Sequence, residues 1–209
     1  MKPLFALALG IAAATATYAA APGATPAPGE PTLAEVRAAT ARFQNVEAAL
    51  AEGYINPGNQ CETAAAMGMD PALGGMGIHL FRPDLLGVSG PPNPRVSGTG
   101  THTDFRKPAI LIYEPRADGS LELIAVENLV FEKAWKAAGN KERPSFHGVP
   151  YEHMADDPAT AADEAHMFEP HFDKHVWLYR DNPKGVFTPF NPTVTCEYSK
   201  GAKTAHKGH

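Results

Sequence analysis

Only two cysteines occur in the 209 residues, Cys61 and Cys196, and what they can do to the fold is decided by where the chain goes. Lys2 gives a short positive start, residues 4–11 are an apolar run, and an alanine-threonine stretch ends at Ala19-Ala20-Ala21. That order of charge, apolar run and small residues is an export signal over residues 1–21, cleaved after Ala19 or Ala21, with Pro22 disfavouring the second. The run is too short and too diluted to span a bilayer, which takes about 20 predominantly apolar residues. An oxidising compartment turns an even pair of cysteines into a disulfide, so Cys61 and Cys196 are expected to tie the start of the folded region to its last strand. In the chain-entropy description so long a loop stabilises by roughly 4 to 5 kcal/mol. Two free thiols serving as metal ligands are the competing use of the pair, and the same compartment disfavours it. The expected location is periplasmic or secreted.

About 190 residues remain after the signal, enough for one domain with a real core, and no segment of them has transmembrane length. The formal charge is −5, and removal of Lys2 leaves 17 Lys+Arg against 23 Asp+Glu, a net −6. A mildly acidic chain without a basic block is unsuited to nucleic acid. Residues 22–31 are rich in Ala, Pro and Gly and read as a flexible leader. The domain is expected over 32–198, and the polar, basic residues 199–209 as a disordered tail.

Thr32 and Glu35 form a capping box, and Leu33, Val36, Phe43, Val46 and Leu50 recur at helical spacing, so one helix is expected from Thr32 to Gly53. Residues 76–81 read as a short strand and 87–107 as a long ordered loop, a kind that is often functional. Residues 109–114 and 121–126 are β-rich runs around Pro115-Arg116-Ala117-Asp118-Gly119-Ser120, the strongest hairpin signal in the chain. A short helix is expected within 128–138, stopped by Gly139-Asn140. Residues 143–169 are loop-like, with a helical turn over 159–165. Strands are expected over 175–180 and 193–198, with a turn at Asn182-Pro183-Lys184-Gly185 between them. Hairpin-joined strands with segregated helices make an α+β fold, built on an antiparallel sheet or a partly open small β-barrel.

Nine histidines are an unusual supply. His79 and His175 stand between apolar neighbours inside strands, and period-two alternation puts His79 on a face with Phe81, and His175 with Trp177 and Tyr179. Glu127 ends the otherwise apolar row Leu121, Leu123, Ala125. A buried carboxylate without a partner costs several kcal/mol, so a cation or strong donor belongs near it. Two histidines and a carboxylate on facing strands make a three-ligand site with open positions, as catalytic metals use, and this ligand set suits zinc, iron, copper or manganese alike. The structural alternative is a buried histidine bonded to a backbone carbonyl and Glu127 paired with Arg180 or Lys133. His171, four residues before His175, lies roughly 13 Å from it along a strand and cannot share its metal. His147 and His153 either line the pocket or face water, and His102 reads as a surface residue.

HExxH, CxxC, the Gly-x-Ser-x-Gly elbow, the P-loop and the Rossmann glycine pattern are all absent from the sequence, so acyl transfer and nucleotide chemistry find no support. With both cysteines oxidised no thiol nucleophile remains.

The segments Gly74-Gly75-Met76-Gly77-Ile78-His79 and Leu123-Ile124-Ala125-Val126-Glu127, with the run from His175-Val176-Trp177-Leu178-Tyr179-Arg180 through Asn191-Pro192 to Cys196, resemble a family of secreted bacterial proteins of unknown function. The resemblance also takes in Ala41-Arg42-Phe43, Ala51-Glu52-Gly53-Tyr54 and the residues 134–139. It implies that a Met-Gly-x-His, an Ala-Val-Glu and a His-Val-Trp segment occur together, and it brings no reaction with it. The chain departs from that pattern at Asn128, where an aromatic residue is expected, and at Ser145-Phe146-His147-Gly148, which is more polar.

The leading expectation is an exported protein in which His79, Glu127 and His175 hold one divalent transition-metal ion in a β-lined pocket. Phe81, Trp177 and Tyr179 are its expected apolar wall and His147 a further pocket residue, and the open position acts on a small molecule. The alternatives are a metal-free carrier of a small apolar ligand and a structural or interaction module.

Overall fold

The computed structural model describes residues 25–56, 58, 60–160 and 163–199. The expected export signal, the start of the expected leader and the tail beyond Ser199 lie outside the described residues. The fold is α+β. Six strands form one antiparallel sheet, curled as a half-barrel, in the order β1 (Cys61–Thr63), β2 (Gly75–Phe81), β3 (Ile110–Pro115), β4 (Leu121–Phe131), β8 (His171–Val176) and β7 (Glu152–Met154). A separate two-stranded ladder joins β5 (Ser145–Phe146) to β6 (Val149–Pro150). The helices are short: α1 (Leu33–Thr40), α2 (Val46–Ala51), α3 (Pro83–Leu86) and α4 (Glu132–Ala137). None of the described helices is long and apolar enough to cross a membrane.

The capping box forms as the sequence requires, with the Glu35 N–H donating to Thr32 Oγ1 and the Thr32 N–H to the Glu35 carboxylate. The single helix expected from Thr32 to Gly53 is broken, however, by a 3-10 turn over Ala41–Gln44. Asn45 adopts extended backbone and its side chain caps α2 by accepting the Glu47 N–H, a role that asparagine fills better than it fills a helix interior. The Phe43 carbonyl accepts the Tyr113 hydroxyl instead of continuing the ladder. Val36, Phe43 and Ala49 are buried, while Leu50, expected on the packed stripe, is exposed.

The hairpin closes at Gly119, whose φ of +84° needs a residue without a Cβ. Beyond it β4 continues to Phe131, so residues 128–131, expected in a helix, are strand. The ladder to β8 explains this: Leu129 pairs with Asp173, Val130 with Phe172 and Phe131 with His171, and those bonds outweigh the weak helical spacing. β8 itself runs four residues earlier than expected and ends at Val176, where the Trp177 N–H leaves the ladder for the Val186 carbonyl. Residues 193–198 form no strand. Asn191 makes one bridge to Gly75, then its side-chain oxygen accepts from Thr193 and turns the chain. The region 145–154, expected as loop, holds β5, β6 and β7, and the described part of 159–165 contains no helix. The turn at Asn182 forms, with the Gly185 N–H on the Asn182 carbonyl.

The two faces of the sheet carry separate cores. One packs Ile78, Leu80, Val126 and Val176 against Val36 and Phe43 of the N-terminal segment. The other gathers Ile110, Ile112, Ala125, Leu129 and Trp177 beneath α3 and the loop 87–107. A β-bulge at Ile124 shifts the β3–β4 register, so Leu121 and Leu123 face the first core and Ala125 the second. The apolar row expected from Leu121 to Glu127 is therefore split between faces.

The long loop is anchored as a roof. A parallel bridge joins Val96 to Phe168, Arg95 donates to the Phe168 carbonyl and ion-pairs with Asp156 and Asp163, and Gly100 lies so close to α3 that a Cβ there would meet the Leu85 carbonyl at 2.1 Å.

A disulfide joins Cys61 on β1, an edge of the sheet, to Cys196, 135 residues on. Replacing both cysteines by alanine is expected to lower the unfolding free energy by about 2 to 5 kcal/mol, read as a fall in the urea midpoint; an unchanged midpoint would contradict that role.

Candidate metal centre

Cross-strand partners share a face of a sheet, and one such row runs Phe81, Ile110, Glu127, His175 from β2 through β3 and β4 to β8. His79 lies two residues before Phe81, on the same face. The row converges three side chains. His79 Nε2 stands 3.3 Å and His175 Nε2 3.4 Å from the same Glu127 oxygen, Oε2. One ligand atom from each residue lies within 4.8 Å of the others, and the two rings meet edge to face at 5.9 Å.

All three are deeply placed, with His175 1%, Glu127 4% and His79 12% exposed at the side chain. Among the described residues, Glu127 Oε2 and both ring nitrogens of His175 have no hydrogen-bond partner. Of the structural alternative, the glutamate's half is absent among the described residues, since Arg180 pairs with Glu114 and Glu122 and neither it nor Lys133 pairs with Glu127. The histidine's half holds for His79, which bonds the Gly77 backbone, and not for His175. Burial pushes Glu127 up to about 8, with the Glu152 charge adding to the rise. Burial also holds His175 well below its ordinary value, helped by the neighbouring His79, Lys174 and His166. His79 is lowered by burial, against the opposing charge of Glu62 and a hydrogen bond to the Gly77 backbone. Without an ion, then, the centre is a neutral acid between two neutral imidazoles, and the short contacts between them are not ion pairs.

The centre forms the floor of a cavity of about 660 Å³. Phe81 lines it, stacked on His79 at 6.2 Å, as the alternation of β2 requires. Trp177 stacks on His175 at 6.3 Å but lies behind it, buried in the core and donating Nε1–H to the Thr188 carbonyl. Tyr179 is not part of the wall. Because β8 ends at Val176, alternation stops there, and the Tyr179 hydroxyl turns to the Arg37 carbonyl and Thr40 by the N-terminal helix. His147 is not in the pocket either: its Nε2 bonds the Pro31 carbonyl and its N–H the Glu30 carboxylate, which fastens the end of the leader beside Phe146 and Phe187. His153 faces outward, against Glu132, and His102 bonds the Lys107 carbonyl.

Three titratable residues that line the cavity were not singled out from the sequence: Asp173, Glu62 and His166. Asp173 had a signal, since it alternates with His171 and His175 on one strand face. His166 had none, being set by a left-handed loop residue with φ +51°.

No protein-family model, curated protein or solved structure matches this chain at a significant level.

The folded, metal-free protein keeps a proton on Glu127 that the unfolded chain, at an ordinary value of 4.5, releases. Stability therefore falls as pH rises from 4.5 through about 8. Below 6.5 the buried imidazoles act in the opposite sense, because the unfolded chain takes up protons that folded His79 and His175 refuse. Chelated protein should thus lose stability between pH 6.5 and about 8, and Glu127→Gln should make that decline shallower, with the raised Asp173 supplying the remainder. Urea midpoints across that window measure it, and a slope unaltered in the variant would refute the assignment.

Proposed function

We propose that this is an exported protein in which His79 Nε2, Glu127 Oε2 and His175 Nε2 hold one divalent transition-metal ion, its open positions facing the cavity. A single observation carries the reading: one carboxylate oxygen lies 3.3 and 3.4 Å from two imidazole nitrogens, with no hydrogen-bond donor to satisfy it. Bonds of about 2.0–2.2 Å to histidine nitrogen and carboxylate oxygen set neighbouring ligand atoms about 2.8–3.6 Å apart at octahedral to tetrahedral angles. The two spacings to Glu127 Oε2 fall inside that range, and the three ligand atoms all lie within 4.8 Å of one another. Burial keeps both imidazoles neutral, as ligation requires, and a bound cation would supply the positive charge that holds Glu127 ionised in the sheet.

Two histidines and one carboxylate leave at least one position free, which suits Lewis-acid polarisation of a small molecule or activation of water or oxygen. The protein's part is to keep the site dry and shaped. Phe81 stacks on His79 from within the cavity and Trp177 on His175 from behind, and the loop 87–107 covers the floor.

The apolar walls of the cavity also fit the reading as a metal-free carrier. The two readings part on one measurement. Protein purified from metal-replete cells should contain close to one equivalent of metal. His175→Ala should lose it, while His153→Ala, an exposed control, should retain it. A wild type recovered metal-free, and unchanged in melting temperature on titration with zinc, iron, copper or manganese, would favour the carrier.

A further inference from the structure

A second polar patch lies on the same face of β8, beside the proposed metal ligands. Asp173 is only 4% exposed, lines the cavity, and its Oδ1 has no hydrogen-bond partner. His171, 2% exposed, faces the carbonyl of Glu169 with Nδ1 at 3.0 Å, so that nitrogen carries the proton and the neutral ring's Nε2 is a bare acceptor. Nε2 stands 3.9 Å from Asp173 Oδ2, too far for the two to satisfy each other. Lys174, next in the chain, points to the opposite face and binds Glu152. The patch is therefore polar and buried, with Asp173 Oδ1 left without a hydrogen-bond partner among the described residues.

Buried polar groups left unpaired cost free energy, so a site built this way is expected to receive its donor from a ligand. The cavity above it is walled by Met67, Leu86, Val88, Val96, Met167 and Phe168, which favours an apolar body. Of the donors that could reach Asp173, a cationic amine would sit roughly 7 Å along the strand from a divalent ion, two residues away, and be repelled by it. A hydroxyl is neutral and can donate to Asp173 in one protonation state or accept in the other.

We infer that Asp173 and His171 form a substrate-recognition subsite for the hydroxyl group of a small apolar molecule, whose body fills the cavity over the metal ligands. The inference rests on the metal reading of His79, Glu127 and His175, and Asp173 touches the ligand rather than the ion.

Three probes of nearly equal size separate the terms: toluene, p-cresol, which adds one hydroxyl, and benzylamine, which adds a cation. Titrated by calorimetry into the full-length protein, p-cresol should bind about tenfold more tightly than toluene, the effect of one well-made hydrogen bond. Asp173→Leu should reduce that preference, read as the ratio of the two affinities in the variant, to less than twofold while leaving metal content unchanged. Asp173→Asn, which keeps an accepting oxygen, should retain most of it and guards against a folding defect in the leucine variant. Equal binding of p-cresol and toluene, tightest binding of benzylamine, binding of neither aromatic, or a preference surviving in Asp173→Leu would each overturn the subsite. Metal content is measured on the same samples, so a metal-free wild type that still prefers p-cresol would fail the metal reading alone.

Discussion

Glu127 sits in register opposite His175 in the middle of a sheet, where hydrogen-bonding partners are supplied to backbones and not to carboxylates. An ionised carboxylate there costs several kcal/mol unless a cation or donors meet it. Among the described residues neither an arginine nor a lysine pairs with it: Lys174 of β8 and Arg180 just beyond that strand are committed to other acids. What reaches Glu127 instead is two imidazole nitrogens, both kept neutral by burial. A set of three neutral or anionic lone-pair donors around one point is an arrangement that a cation completes.

The rest of the molecule holds that arrangement rigid. The β-ladders fix the spacing of β2, β4 and β8, so the three ligands are set by backbone register and not by loop conformation. Gly77 permits the close approach to β3, since a Cβ there would meet the Tyr113 carbonyl at 2.7 Å and its φ is +106°. The opposite face of the sheet is filled by the N-terminal segment, which leaves the ligand-bearing face free to be covered by a loop. Covering it with loop and the single-turn α3 rather than a long helix leaves a cavity instead of a filled core.

How much of this was legible in the sequence varied with the range of the interaction responsible. His79 and His175 were legible because each adjoins apolar residues in a strand, and Asp173 was accessible by period-two alternation from His175; Glu127 was found although the row from Leu121 that pointed to it crosses a bulge. The two-faced split of the β4 row was not, because one bulged residue, Ile124, reverses the alternation without any mark in composition. Tyr179 was misplaced for a related reason: the sequence continues to look like strand after Val176, but the ladder partner runs out where Ile124 bulges, and its carbonyl takes the N–H groups of Tyr179 and Arg180. The break in the N-terminal helix depends on a tyrosine from β3 that takes the Phe43 carbonyl, a contact across 70 residues of chain. Local reasoning placed the strands that carry chemistry, whereas their ends were set by distant partners.

The central claim is that three side chains bind one ion at one point, and a crystal grown with zinc and measured on either side of the metal's absorption edge tests it most directly. The account predicts one strong anomalous peak about 2.0–2.2 Å from His79 Nε2, Glu127 Oε2 and His175 Nε2 together. A peak elsewhere, or none at that point in zinc-soaked crystals, would contradict it.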